Sequence, residues 1–386
     1  MKKLMAIVLA FLLSASLLVG CGGNGGSAES DVIKVGFLGP LTGDVAQYGI
    51  AVRDGVKMYI NKLNEEGGVL GKQIQLIEED EKGDPTEALN GFNKLVDQDK
   101  VVAIFGSVTS GPTIAVSEAS STMDNPIPMI TASATAEDVT SFGDNMFRTC
   151  FLDPFQGETM AKFASEVLDA KTAGVIYNNG TDYSTGLYES FKETCKALGI
   201  DVVAEESYQD GDVDFKSQLT NIAAANPDVL LVPDYYNQVA LIAHQSAELG
   251  ITCALLGCDG WDGVLNATET PEDLANAYFS NHYSSDDPDP VVQDFLKAYK
   301  EVYGEDPMSF AATGYDAAMV MFDAISRAGT TESSAVVQAL KDTDLACVTG
   351  RIIFDEKCNP IKTCAIVKFV LDEATGKYNY AFDRKI

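Results

Sequence analysis

From Val32 onward the chain alternates short β-branched or all-apolar runs with amphipathic stretches of helical period, and this rhythm restricts the fold more than any other feature. Residues 32–38 read as a strand. Val52, Val56, Tyr59 and Leu63 then recur at helical spacing and stop at Gly67-Gly68. Residues 73–78 form a second strand. Asp84-Pro85 supplies a cap and a proline at the first helical position, with Leu89, Phe92 and Val96 on one face of the helix that follows. Residues 101–105 are nearly all apolar, as in a buried parallel sheet, while 111–123 suit a helix and 127–130 a strand. The rhythm restarts after Cys150, with helices expected over 155–168, 185–198, 215–225 and 238–249. Strands are expected between them over 174–177, 202–206, 229–232 and 253–256. Helices over 291–303 and 311–327 follow a loop rich in Asp and Pro, and residues 348–382 are strand-rich with a hairpin near 356–360. Repeated βα units imply an α/β fold with parallel sheets covered by helices on both faces. Two such series in 386 residues, 46% of them hydrophobic, imply two Rossmann-like lobes with separate cores.

Residues 1–20 have the layout of a signal peptide: Lys2 and Lys3, then an apolar stretch from Leu4 to Gly20 that is short for a membrane span. The stretch ends in Leu18-Val19-Gly20-Cys21, which resembles a bacterial lipobox. The resemblance implies lipidation of Cys21 and anchoring at the outer face of the cell membrane; an uncleaved anchor helix is the alternative. Gly22-Gly23-Asn24-Gly25-Gly26-Ser27 begins a flexible tether over residues 21–31.

The formal charge of −30, without any basic run, excludes nucleic acid as a partner, because binding a polyanion requires clustered Lys and Arg. Cys150, Cys195, Cys253, Cys258, Cys347, Cys358 and Cys364 follow the lipobox cysteine, with no CxxC pair among them. One disulfide or buried free thiols are both compatible with this pattern. His244 and His282 are far apart in the chain, so no His-based metal site is expected, and no cofactor is implied.

In open parallel sheets ligands sit beyond the carboxyl ends of the strands, where helix N-termini present free N–H groups. Gly106-Ser107-Val108-Thr109-Ser110-Gly111-Pro112 and Thr131-Ala132-Ser133-Ala134-Thr135 are two such strand ends, small and rich in hydroxyls, and suited to a carboxylate. Ordinary Ser/Thr capping would give the same residues singly; two adjacent turns favour a site. In the second series the strand ends carry Asp182-Tyr183, Tyr235-Tyr236 and Asp259-Gly260-Trp261, aromatic walls and a carboxylate fit to hold a cation.

With these residues in view, the chain resembles the branched-chain amino acid-binding proteins of ABC importers, the type I periplasmic binding proteins. The resemblance runs over nearly all of residues 32–386. It is carried by Gly39-Pro40-Leu41-Thr42-Gly43 with Gln47-Tyr48-Gly49, by Gly67 to Lys72, and by the two hydroxyl-rich turns. Phe147-Arg148-Thr149, Tyr183, Tyr235, Gly257 to Gly260, Tyr315-Asp316-Ala317 and Gly350 to Asp355 complete it. The resemblance implies that Ser110 and Thr135, with N–H groups near Thr109 and Ala134, bind an α-carboxylate. It implies that the Ser133 carbonyl and Asp259 bind the ammonium with help from Tyr183, and that Tyr48, Tyr235 and Trp261 shape the side-chain pocket. It also implies a three-strand hinge crossing near 149–150, 280–281 and 349–350, so that residues 32–149 with 282–349 make the N-terminal lobe and 150–281 with 350–386 the C-terminal lobe. A monomer that closes on a free amino acid and delivers it to an ABC permease is the expected mechanism. Two departures stand out: Cys358 occupies a hairpin position that is usually glycine, and Asp234 adds a second acid near the cleft.

Other classes fit less well. Gly106 to Gly111 lacks the GxSxG spacing of a hydrolase nucleophile, and neither histidine is expected at a strand end to serve as its base. Gly67 to Lys72 is one residue short of a phosphate loop and is followed by Gln73. Asp210, Asp212 and Asp214 mimic a calcium loop, but Phe215 and Asn221 stand where Gly and Glu are needed. A sensor using the same clamp to signal an amino acid or small amide stays open beside transport.

Overall fold

The computed structural model describes residues 32–385, so the expected leader, lipobox and tether lie outside the described residues. The first series builds a five-stranded, all-parallel sheet from β1 (Val32–Gly39), β2 (Gln73–Asp80), β3 (Ile104–Gly106), β4 (Met129–Thr131) and β5 (Met146–Arg148), in the order β2-β1-β3-β4-β5. Alternate side chains serve opposite faces. Phe37, Phe105 and Phe147 face one core with α1 (Ala46–Glu65), while Leu38, Ile104 and Met129 meet α2 (Pro85–Lys94) and α3 (Ser110–Ser121) on the other. Both faces are covered, which is why these strands read as continuous apolar runs. Asp84 caps α2 as its position predicts, accepting from the N–H groups of Thr86 and Glu87 at 2.8 and 2.9 Å.

The second series gives a seven-stranded sheet in the order β14-β13-β10-β9-β8-β6-β7. Its parallel part is β6 (Thr172–Asn178), β7 (Asp201–Tyr208), β8 (Val229–Leu231), β9 (Ala254–Gly257) and β10 (Ala277–Asn281). The strand-rich tail supplies β13 (Ala365–Asp372) and β14 (Lys377–Lys385), which pair antiparallel and make this sheet mixed. Helices α4 (Asp153–Glu166) and α5 (Asp182–Leu198) cover one face; α6 (Lys216–Ala225) and α7 (Tyr236–Glu248) cover the other. After the single turn α8 (Val264–Ala267) and β10, helices α9 (Pro290–Tyr303), α10 (Ser309–Ala328) and α11 (Ser333–Lys341) return to the first lobe. There α10 packs along α1, and the Tyr303 hydroxyl donates to the Asp54 carbonyl at 2.9 Å. The fold class expected from the sequence is the one found: two α/β lobes with parallel sheets.

The third crossing differs in position from the expectation. Val348-Thr349 is the turn of a small hairpin between β11 (Asp344–Cys347) and β12 (Gly350–Ile353), with Gly350 at φ 113° opening β12 opposite Cys347, rather than a passage between lobes. Residues 350–360, expected in the C-terminal lobe, pack on the first: Phe354 meets Phe147 with ring centroids 5.0 Å apart, and Thr140 Oγ1 donates to Asn359 Oδ1 at 3.1 Å. The chain passes over after Pro360. Lys362 is half-buried at this hinge, its Nζ donating to the Thr149 carbonyl at 2.8 Å and to Thr349 Oγ1. Asp316 takes the N–H groups of Val348 and Thr349 at 2.7 and 2.9 Å, so two of the crossings share one polar knot.

All seven described cysteines are free, and burial pushes their thiols up, Cys150 and Cys195 to about 12 and Cys253 and Cys358 to about 11. They are unreactive apolar filler. Cys358 holds φ at 63°, the left-handed conformation for which glycine is the ordinary residue.

Candidate functional site

The carboxyl ends of the two sheets face each other across a cleft. Tyr48, Val108, Thr109, Ser110, Ser133 and Phe310 line it from the first lobe; Tyr183, Tyr235, Asp259 and Gly260 line it from the second. The lobes are closed on one another, and the space left has room for about one water molecule. The Tyr48 hydroxyl donates across the gap to the Gly260 carbonyl and accepts from the Tyr236 N–H at 3.2 Å. Further from the centre, Asn237 Nδ2 donates to the Asp44 carbonyl at 2.7 Å, and the Ser309 N–H donates to Asp262 Oδ2 at 2.6 Å.

On the first-lobe side the hydroxyls are not used as helix caps. Thr109 stands at the N-cap of α3 without a side-chain capping bond, and Ser110 Oγ accepts from the Ala136 N–H at 3.3 Å. Ser133 Oγ donates to the Val108 carbonyl at 2.7 Å and ties the two turns together. These turns therefore put hydroxyls and the free N–H groups of a helix start on one wall, a neutral surface that stabilises an anion.

On the second-lobe side Asp259 is 1% exposed, so its surroundings decide what it can do. Its Oδ1 accepts from Tyr183 Oη at 2.8 Å and Gln156 Nε2 at 3.0 Å, and its Oδ2 meets His282 Nε2 at 3.1 Å. Gln156 Oε1 in turn accepts from the Asp259 N–H and the Ser280 hydroxyl, at 3.0 and 2.8 Å. The rings of Tyr183 and Tyr235 stack with centroids 4.8 Å apart, and Tyr48 meets Tyr235 edge-on at 5.7 Å. Burial raises the pKa of Tyr48, Tyr183 and Tyr235, keeping them neutral phenols that donate. The cleft thus offers an anion-binding wall, an aromatic middle and one carboxylate on the opposite wall.

Of the residues singled out in the sequence, Tyr48, Thr109, Ser110, Ser133, Tyr183, Tyr235 and Asp259 come together here. Ala134 and Thr135 lie behind them, fully buried: the Ala134 carbonyl accepts from Arg148 Nη1 at 3.0 Å, and Thr135 lies against Asp153, whose N–H donates to its carbonyl at 3.0 Å. Trp261 does not line the cleft, which corrects the expected pocket wall. It is fully buried, its Nε1 donates to the Val232 carbonyl at 2.8 Å, and its ring lies over Gly257, where a Cβ would stand 2.1 Å from it. It stacks with Phe279 and belongs to the core of the second lobe. Asp234 is likewise turned away from the cleft, bonded to the Tyr208 hydroxyl and, at 2.6 Å, to the Tyr235 N–H. His282 was not expected at a strand end, yet it follows β10 directly and touches Asp259. Sequence reasoning also missed Phe310 and Gln156. Phe310 belongs to a helix start far from any strand end of the first series, and Gln156 to the first turn of α4.

Several acidic side chains are buried, and burial raises their pKa: Glu81 to about 7, Asp234 to about 6, and Asp153, Asp262 and Asp316 upward. A carboxyl raised in the folded state opposes folding above its folded pKa, and that penalty fades as pH falls through it. His282, lowered by burial, acts in the opposite direction below its usual value near 6.5. The carboxyls outnumber it. The melting temperature is therefore expected to rise as pH is lowered from 8 to about 5.5. It should fall again in acid, where Asp144, Asp228 and Asp344, held low by Lys341, by the Lys171 N–H and by Arg351, become protonated. Thermal unfolding across pH 3–9 checks this, and a melting temperature highest at pH 8 would contradict it.

Two parallel-sheet lobes with a polar cleft at their facing strand ends define a solute-binding clamp. Residues 32–374 match the family model described as periplasmic binding protein. The chain belongs to the branched-chain amino acid-binding family of type I periplasmic binding proteins. It is 31% identical over 360 residues to a Leu/Ile/Val-binding protein of Rhizobium johnstonii, covering 92% of this chain and 93% of that one. It is 31% identical to a leucine-, isoleucine-, valine-, threonine- and alanine-binding protein of Pseudomonas aeruginosa, covering 86% and 88%. Among solved structures, a leucine binding protein from Thermotoga maritima superposes with a TM-score of 0.83 at 32% identity, covering 92% of this chain and 98% of that one. A branched-chain amino acid transporter substrate binding protein from Streptococcus pneumoniae, in complex with isoleucine, gives 0.84 at 32% identity, covering 92% and 100%. Membership carries a solute-binding role and an extracytoplasmic place of action.

Proposed function

We propose that this protein captures a free α-amino acid with an apolar side chain, branched-chain or aromatic, and delivers it to an ABC permease without chemical change. The observation that carries the reading is the division of labour across the cleft: neutral donors on one lobe and Asp259 on the other. A zwitterion needs that pair of walls. Its carboxylate is assigned to Thr109, Ser110 and the turn at Ala134-Thr135, and its ammonium to Asp259, Tyr183 and the Ser133 carbonyl. Tyr48, Val108, Tyr235 and Phe310 enclose the side chain, and with Asp234 committed to Tyr208 and the Tyr235 N–H, no second acid among the described residues lines the cleft. Charge-assisted hydrogen bonds contribute roughly 1.5–3 kcal/mol each, so a few in a desolvated cleft suffice for micromolar binding.

Capture works by hinge closure about the three crossings of a monomer. Ligand settles on the first lobe, and closure brings Tyr183, Tyr235 and Asp259 onto it; the balance shifts only by the ligand's preference for the closed form. Lipidated Cys21 and the glycine-rich tether hold the clamp beside the permease and raise its effective concentration there. Calorimetry against the free amino acids should show leucine, isoleucine, valine or phenylalanine binding at micromolar Kd or tighter, and amides or N-acetyl forms of the same residues binding far more weakly. Sugars or amides binding while every amino acid fails would overturn the assignment.

A further inference from the structure

An ionised carboxylate has about four acceptor positions, and at Asp259 three of them are taken. Tyr183 and Gln156 donate to Oδ1, and His282 Nε2 meets Oδ2 at 3.1 Å, which leaves one position for a ligand. Tyr183 lines the cleft itself, whereas Gln156 and His282 touch only the carboxylate from outside it. The His282 ring is fully buried and fixed in place. It stacks on Phe151 with centroids 4.0 Å apart and 26° between the planes, and lies tilted against Phe310, a cleft wall, at 5.7 Å. Because an ionised Asp259 only accepts, the neutral ring carries its proton on Nε2. Nδ1 is then a buried lone pair without a hydrogen-bond partner among the described residues. His282 also lines a hinge cavity of about 70 Å³ with Ser284, Thr349 and Thr363, space enough for water to bring a proton to the ring.

We propose that His282 is a positioning residue of the ammonium site: neutral, it aims Asp259 at the ligand, and protonated on both nitrogens, it competes with the ligand's ammonium for the same carboxylate. The proposal rests on the reading of Asp259 as the ammonium site. At neutral pH one N–H···O bond fixes the carboxylate and leaves its full charge for the ligand. In acid the ring becomes a cation, and two cations then share one negative charge in a desolvated cleft, where their repulsion is poorly screened. Burial holds the ring's pKa below its ordinary 6.5, against the opposing pull of the Asp259 carboxylate. Lys362, from the hinge segment, also disfavours the second proton, and Asp262 favours it. Asp287, Asp289 and Lys385 border the hinge cavity, while Tyr283, Cys347 and Cys364 in its wall are kept neutral by burial. Amino acid affinity is therefore full above the ring's pKa and falls as pH drops through it. By reciprocity, a bound amino acid makes the ring harder to protonate.

The test is calorimetry with leucine between about pH 7.5 and pH 5 on the parent protein, His282→Gln and His282→Ala. Gln keeps a neutral N–H donor and cannot take the proton. It should bind within about threefold of the parent at pH 7.5 and lose little in acid, whereas the parent weakens roughly tenfold. Ala, without a donor, should already be about tenfold weaker at pH 7.5. Proton NMR of the parent protein reads the ring directly, since the chain has 2 histidines and His244 is exposed. Saturating leucine should move the His282 titration to lower pH and leave that of His244 in place. Equal acid loss in the parent and the Gln variant, or a His282 titration that leucine does not move, would refute the proposal, because a ring that only fills the core gives both. A parent protein that binds no free amino acid would overturn the reading of the cleft instead.

Discussion

Asp259→Ala is expected to lower affinity for the cognate amino acid about a hundredfold. The side chain is buried opposite the hydroxyl-lined wall and is the one carboxylate among the described residues that lines the cleft, where the proposed function puts the ammonium. Truncating one member of a buried charged pair costs about 2–5 kcal/mol, much of it from leaving the other charge unpaired. At about 1.4 kcal/mol per factor of ten, a hundredfold loss lies in the lower half of that range. Asp259→Asn separates charge from shape, because an amide oxygen can still accept from Tyr183. Calorimetry on both variants checks the role. Alanine within fivefold of the parent protein would remove Asp259 from the ammonium site, whereas Asn recovering full affinity would make hydrogen bonding rather than charge the essential contribution.

Trp261→Ala should unfold the second lobe more readily without altering what the cleft recognises. The indole fills the space over Gly257, stacks with Phe279 and has its N–H satisfied by the Val232 carbonyl. Removing such a ring leaves a cavity and costs about 3–5 kcal/mol, which for a lobe of this size corresponds to a fall in Tm of roughly 10 °C. Below the melting transition, amino acid affinity should stay within a few-fold of the parent. A pocket-wall role predicts the reverse pattern, with affinity lost and Tm nearly kept, so differential scanning calorimetry and a binding isotherm decide between the two.

The contrast between Asp259 and Trp261 shows what the sequence disclosed. Both follow the same strand, and position alone put both in the cleft. A strand end fixes where the backbone emerges; it does not fix which way a bulky side chain turns in the short 3₁₀ segment Asp259–Trp261. The large strands and helices were legible because their apolar periods match what each buries. β5 and β10 were not: β3, β4 and β8 are as short but sit in apolar runs of four or five residues, whereas Met146–Arg148 ends in a charge and Ala277–Asn281 in Ser and Asn. Phe310 and His282 reach the cleft through contacts between elements distant in the chain, for which a single sequence has no local signal. Residues 349–350 were read as a lobe crossing, and the structure has a hairpin there instead.

The tail strands have a consequence for how the molecule is made. β13 pairs with β10 across about ninety residues, with Tyr278 opposite Lys368, and β14 then closes the edge of the sheet. The first lobe is interrupted too, because α10 at Ser309–Ala328 covers α1 at Ala46–Glu65. Neither core can be completed from a contiguous early stretch of chain. Non-local pairing of this kind must meet loop-closure entropy before any burial rewards it, which slows folding. A chain emerging N-terminus first thus remains without a finished first lobe until about residue 360 and without a finished second lobe until β13 and β14 follow, so both halves acquire their native packing late.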